Sequence, residues 1–201
     1  MTKGITSDSR VEKLLFIIAG ANGVGKTTFA KDFAKTKKLK FLNADEIALK
    51  LNNNPEKVRI KAGKLFLKQI SDCMRENRSF VIESTLSGKY LKNIINNAQG
   101  KGYQVIIVYI FVENPDICIK RIKNRVLKGG HFVADEDVKR RFLRSVKLFY
   151  NEYRFLADLC YLINNTDDDF EEIAIFEQEN VLILNENIYD KFLGVIENEE
   201  Y

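Results

Sequence analysis

The stretch Leu14-Leu15-Phe16-Ile17-Ile18-Ala19, followed by Gly20-Ala21-Asn22-Gly23-Val24-Gly25-Lys26-Thr27, decides the fold. The apolar run does not alternate and ends at glycine, so it reads as a strand buried on both faces of a parallel sheet. The residues after it satisfy the spacing G-x-x-x-x-G-K-[ST] of a phosphate-binding loop. Residues 26–34 read as the helix that must follow such a loop. Glycines let the backbone curl until several N–H groups converge on one phosphate, and the helix start adds its positive dipole end. Lys26 is then placed to reach the β- and γ-phosphates, and the hydroxyl of Thr27 to hold Mg²⁺. Gly20 to Thr27, with Thr28 beside them, are the expected nucleotide-binding residues, and Thr27 the expected metal ligand.

Working outward, strand-like runs fall at residues 39–42, 79–82, 104–112 and 161–163, and helical patterns lie between them. Pro55 and Pro115 suit first helical turns, and Gly100, Gly102 and Gly129-Gly130 punctuate helix ends. The β-branched run at 104–112 is expected at the centre of the sheet. The alternation predicts an α/β P-loop NTPase fold, with a mainly parallel five-stranded sheet and helices on both faces. Runs at 173–176 and 181–184, then a helix at 188–196, predict a small terminal hairpin and helix as a C-terminal β/α extension. One domain is expected over residues 1–201, with a helical lid at about 120–147.

In such a sheet, ligands bind beyond the carboxyl ends of the strands. Asn43-Ala44-Asp45, Glu83-Ser84-Thr85 and Glu113-Asn114 join Gly20 there. Asp45 suits a base that orients an acceptor hydroxyl and takes its proton, or a residue that starts a helix. Glu83, Ser84 and Thr85 suit substrate binding or a water on magnesium, or equally a helix cap. The central strand ends Phe111-Val112-Glu113 without an aspartate. The metal-supporting aspartate of motor-type ATPases is therefore missing there, and Asp45 or Glu83 would have to help instead.

Net charge is +4, but residues 120–147 hold ten cations against Asp135, Glu136 and Asp137. Arg121 and Arg125 share a helix face, Gly129-Gly130 break the chain, and Arg140, Arg141 and Arg144 return on the next helix. Two arginine-bearing helices about a glycine turn suit a lid over phosphates, or a solvated helix face. His131, the only histidine, suits a phosphate contact or a cap on the turn and has no neighbours for a metal site. Cys73, Cys118 and Cys160 lack metal spacing and are odd in number, which argues against a disulfide framework, and on composition they read as reduced, buried or half-buried residues in a cytoplasm. Neither an apolar signal region nor a run long enough to span a bilayer is seen, so no membrane partner is expected.

The blocks GANGVGKTTFA, LNADEIA, FVIESTLSG, VENPDICIKRIKNRVLKGGHFVADEDVKRRF and YNEYRFLADLCYLINNT, in that order, resemble the zeta toxin family of P-loop kinases in its compact chromosomal form. That family is similar in architecture to adenylate and shikimate kinases. The resemblance implies that Asp45 activates the acceptor hydroxyl and that Glu83 lies on the substrate and metal side. It implies that Arg121 or Arg125, with Arg140 or Arg141, contact phosphates, and that Asn164-Asn165-Thr166 lie near the adenine, with Asn165 binding nucleotide. It further implies ATP or GTP with Mg²⁺, UDP-N-acetylamino sugars as acceptors, and a small antitoxin protein as partner. Ala21, Ser84 and Ala134 stand where the family commonly has proline, threonine and proline. The resulting expectation is a kinase of a small hydroxyl-bearing molecule. The alternatives are a kinase for a nucleoside or an RNA end, and a nucleotide-binding module without acceptor chemistry.

Overall fold

In the computed structural model, which describes residues 12–52, 54–86, 90–127, 129–130 and 132–197, the opening apolar run is strand β1 (Leu14–Ala19). It lies between β3 (Phe80–Ser84) and β4 (Gln104–Phe111), parallel to both, with Ile17 level with Ile82 and Ile107. β2 (Lys40–Leu42) pairs with β3 and β5 (Leu159–Asn164) with β4, again in parallel. All five strands therefore end on one edge. Leu15, Ile17, Val81, Val105, Ile107 and Cys160 are fully buried. Each large apolar side chain removed from water in this way contributes about 1.5–3 kcal/mol.

Helices α1 (Lys26–Lys37), α2 (Ala44–Leu51), α3 (Arg59–Arg75), α4 (Tyr90–Gly100) and α5 (Pro115–Leu127) connect the strands. A 3₁₀ turn at Pro55–Val58 leads into α3, so Pro55 opens a tight turn before the helix rather than the helix itself. β3 runs two residues past the expected end at Ile82, because Ile18 and Ala19 of β1 pair with Glu83 and Ser84. That extension carries Glu83 onto the sheet edge instead of into a loop.

The expected separate hairpin is part of the main sheet. β6 (Glu171–Glu177) pairs antiparallel with β5, and β7 (Asn180–Ile183) with β6, giving the order β2-β3-β1-β4-β5-β6-β7. Without β6, the outer edge of β5 would leave backbone groups unpaired. Ile173, Ala174 and Phe176 are fully buried, which fixes the strand in place.

Helices α6 (Asp135–Asn151) and α7 (Glu186–Glu197) cover this end through aromatic packing. The ring of Tyr109 stacks on Phe149 with centroids 4.3 Å apart, and Phe192 meets Phe111 edge-on at 5.2 Å. The Tyr109 hydroxyl donates to Ser145 Oγ at 3.0 Å, satisfying two buried polar groups. Burial pushes the Tyr109 phenol well above its ordinary range. The three cysteines are free and all three are buried, and burial pushes Cys118 and Cys160 up to about 12. Among the described residues, no helix is long and apolar enough to cross a membrane.

Candidate functional site: a phosphate cradle with an acid behind it

Between β1 and α1 the chain turns through left-handed backbone at Gly23 (φ 91°) and Gly25 (φ 99°). A Cβ on Gly23 would lie 2.7 Å from the carbonyl oxygen of Cys118, and one on Gly25 would lie 2.5 Å from Asn165 Nδ2. Both positions thus need glycine for conformation and for space. Gly25 caps α1 without a side chain, and no acid lies in the first turn. The N–H groups that open α1 are left to an anion from outside the helix.

Lys26 is buried, with Nζ donating to the carbonyl of Ala21 at 2.7 Å. Burial lowers its pKa, while the carboxylates of Glu83 and Asp45 offset part of that effect. The cation therefore sits within the loop that would surround a phosphate. Of the other loop residues, Ala21 and Val24 are buried and Asn22 half-buried, while Thr28 is exposed on the first turn of α1.

The hydroxyl of Thr27 donates to Glu83, at 2.9 Å to Oε2 and 3.2 Å to Oε1. Asn43 Nδ2 donates to the same Oε2 at 2.7 Å. Asn43 Oδ1 in turn accepts from the backbone N–H of Asp45 at 2.7 Å and of Glu46 at 3.1 Å, capping α2. One amide thus ties the acid of β3 to the helix that carries Asp45. Asn43 was not singled out as a site residue from the sequence. Its place before Asp45-Glu46 marks it as an N-cap, but only the parallel register of β2 and β3 brings it to Glu83. Asp45 itself is exposed in the first turn of α2.

Ser84 Oγ accepts from the N–H of Leu86 at 3.1 Å, which shapes the turn after β3, and Thr85 is half-buried beside it. Glu113, on the edge where motor ATPases keep an acid, is paired with Lys191 of α7 at 3.0 Å. Hard oxygen donors suit Mg²⁺, which keeps few protein ligands and fills its shell with phosphate oxygens and water. Thr27 and Glu83 form such a donor set. No cluster of three or more metal-ligating side chains occurs among the described residues, and a magnesium–nucleotide site does not need one.

The arginines divide into two groups. Arg121 Nη2 donates to the carbonyls of Asn165 at 2.8 Å and Thr166 at 3.1 Å, and pairs with Asp168 at 2.6 Å. Asn165 Nδ2 donates to the carbonyl of Val24 at 2.8 Å. The loop after β5 is thereby fixed against both the phosphate loop and α5. Arg121 Nη1 and Asn165 Oδ1 are buried with no hydrogen-bond partner among the described residues. By contrast, Arg140 pairs with Asp137 at 2.7 Å and Arg141 with the same carboxylate at 3.7 Å, both within α6. The Arg140 hydrogen bond holds Asp137 below its usual carboxylate range. Arg125 is exposed on α5, its stem beneath Gly130, and its charge is felt at Lys26. His131 lies outside the described residues.

This fold and this cradle define a P-loop NTPase-like α/β domain of the kinase-like type. The chain belongs to the AAA domain family, whose sequence model matches residues 15–149. It is 34% identical over 124 residues to an uncharacterized protein of Haemophilus influenzae, a match covering 61% of this chain and 88% of that protein. Among solved structures, it resembles a chain of the PezAT chromosomal toxin-antitoxin system of Streptococcus pneumoniae. That likeness has a TM-score of 0.68 and 16% identity, over 96% of this chain and 82% of that one. It also resembles AvrRxo1-ORF1:-ORF2 with ATP, at a TM-score of 0.68 and 16% identity, over 94% of this chain and 66% of that one. These structural likenesses are likenesses of fold.

Proposed function

We propose that this protein is an ATP-dependent kinase that transfers the γ-phosphoryl group to a hydroxyl of a small molecule. UDP-N-acetylamino sugars are the first acceptor class to test. The observation that carries this reading is the Glu83 carboxylate, which accepts from Thr27 and from Asn43 and so couples the phosphate loop to the helix of Asp45. A module that only held nucleotide would not need its acceptor-side helix tied to the metal side.

In this reading the α1 N-terminus and Lys26 bind and neutralise the phosphates. Bound Mg²⁺ would neutralise charge on the β- and γ-phosphates, with Thr27 and Glu83 as its protein contacts. Asp45 orients the acceptor hydroxyl and takes its proton. Arg125, Arg140 and Arg141 supply positive charge from the lid, and Arg121 and Asn165 hold the loop beside the nucleotide. The resemblance to zeta toxins supports the acceptor class, a cytoplasmic setting and a small antitoxin protein that covers the nucleotide site.

The test is ADP release from ATP and Mg²⁺ with and without UDP-N-acetylglucosamine. Asp45→Asn should lower acceptor-dependent release by about 10²–10⁴-fold while ATP still raises the melting temperature. Unchanged turnover in Asp45→Asn would remove Asp45 as the base. Release that responds to a nucleoside or an RNA end, and not to the sugar, would keep the kinase and replace the acceptor.

A further inference from the structure

The two edges of the sheet are not alike. At one edge, β2 is three residues long, and exposed Lys37, Lys38 and Lys40 lie in it or just before it. Short length and lysine are the usual guards against unwanted strand pairing. At the other edge, β7 is also short, at four residues, but carries no lysine or other charged side chain. Its residues Val181 (41% exposed), Leu182 (59%) and Ile183 (39%), with Leu184 (48%) next to them, are apolar and open to solvent. Its pairing with β6 is regular, with neither bulge nor proline, and no strand lies beyond it among the described residues. In an antiparallel strand, alternate N–H and C=O groups point away from the neighbour and remain free to pair.

The charge around this edge is one-sided. Residues 167–190 contain Asp167, Asp168, Asp169, Glu171, Glu172, Glu177, Glu179, Glu186 and Asp190, and no lysine, arginine or histidine, in a chain of net charge +4. Glu177 and Glu179 stand before β7, and Glu186 after it, all exposed. A second copy pairing antiparallel with its apolar run in register would set Glu179 against Glu186 at both ends. Like charges placed opposite each other across strands destabilise the pair.

We propose that the free edge of β7 is a docking edge for an extended apolar segment of a partner protein, flanked by lysine or arginine, which adds a strand to the sheet. Main-chain hydrogen bonds would supply affinity, and the acidic flanks would select the sign of the segment's ends. This edge is separate from the phosphate cradle, and the proposal does not depend on the kinase reading.

The test uses a capped, labelled peptide, Lys-Lys-Val-Thr-Val-Thr-Val-Lys-Lys, and its counterpart with glutamate in place of lysine. Both are titrated into the full chain by fluorescence anisotropy. The lysine peptide should bind at least about tenfold more tightly, and added salt should erode the difference. Glu179→Lys with Glu186→Lys should reverse the preference. Leu182→Asp with Leu184→Asp, and N-methylation of alternate peptide residues, should each abolish binding. An unchanged far-ultraviolet circular-dichroism spectrum and a cooperative thermal melt report that the variants are folded. Equal binding of the two peptides, or binding of neither, overturns the proposal. So does a dimer seen by light scattering and lost in Leu182→Asp with Leu184→Asp, which would assign the edge to a second copy.

Discussion

The phosphate cradle and the arginines of α6 differ in how firmly their side chains are held by the fold. In the cradle, Thr27 of α1, the α2 cap Asn43 and Glu83 of β3 are buried or half-buried, with Thr27 and Asn43 both bonded to Glu83, and buried Lys26 donates to the loop carbonyl of Ala21. In the lid, Arg140 and Arg141 share one carboxylate of their own helix, and Arg140 is exposed. The cradle groups are held by elements of the sheet. The α6 arginines are held only by ion pairs within their own helix, at solvent-exposed positions where such pairs are weak. Preorganisation is thus concentrated around the phosphate loop, where charge must be placed accurately.

The largest expected effect that sharpens this contrast is at Glu83. Glu83→Gln should lower ATP turnover by about 10²–10³-fold with the fold retained, measured as ADP release beside a circular-dichroism melt. An effect no greater than that of a lid arginine would break the contrast. Next is Arg121, which by its contacts belongs with the cradle. Arg121→Ala should cost about 1.5–3 kcal/mol of stability in urea unfolding, since a charged donor leaves two carbonyls. Unchanged stability would place Arg121 with the surface arginines of α6.

Arg140→Ala and Arg141→Ala should each lower turnover about tenfold and leave stability within about 0.5 kcal/mol, as surface positions do. The smallest effect concerns Lys26, whose pKa is lowered by burial. The cost of burying its charge is fully present below its folded pKa and is relieved as pH rises through that value toward the unfolded one. Lys26→Met should therefore be slightly more stable than the parent protein at neutral pH. The advantage should shrink in alkali, followed by melting temperature across pH.

Much of the fold was legible because its signals are local. The apolar run of β1, the glycine spacing after it and the β-branched run of β4 each fix one element without reference to distant residues. The boundaries that moved did so through pairing. β3 gained Glu83 and Ser84 because β1 lies beside it, and the terminal hairpin entered the sheet because β5 had an open edge. The same holds at the site. Lys26 and Thr27 could be read from spacing, whereas the partnership of Asn43 with Glu83 spans forty positions. Arg121 and Arg125 looked equivalent on one helix face, and only the loop after β5 separates them.

The sequence by itself determined that this chain forms an α/β P-loop domain, where the phosphate loop begins and which carboxylates reach the strand ends. Hydrophobic period and glycine geometry act within a few residues and are therefore written in the chain order. The tertiary structure alone decided which acid faces Thr27, which arginine is fixed and which strands form the sheet edges among the described residues. Those outcomes depend on strand order and register, which bring together residues that the chain holds far apart.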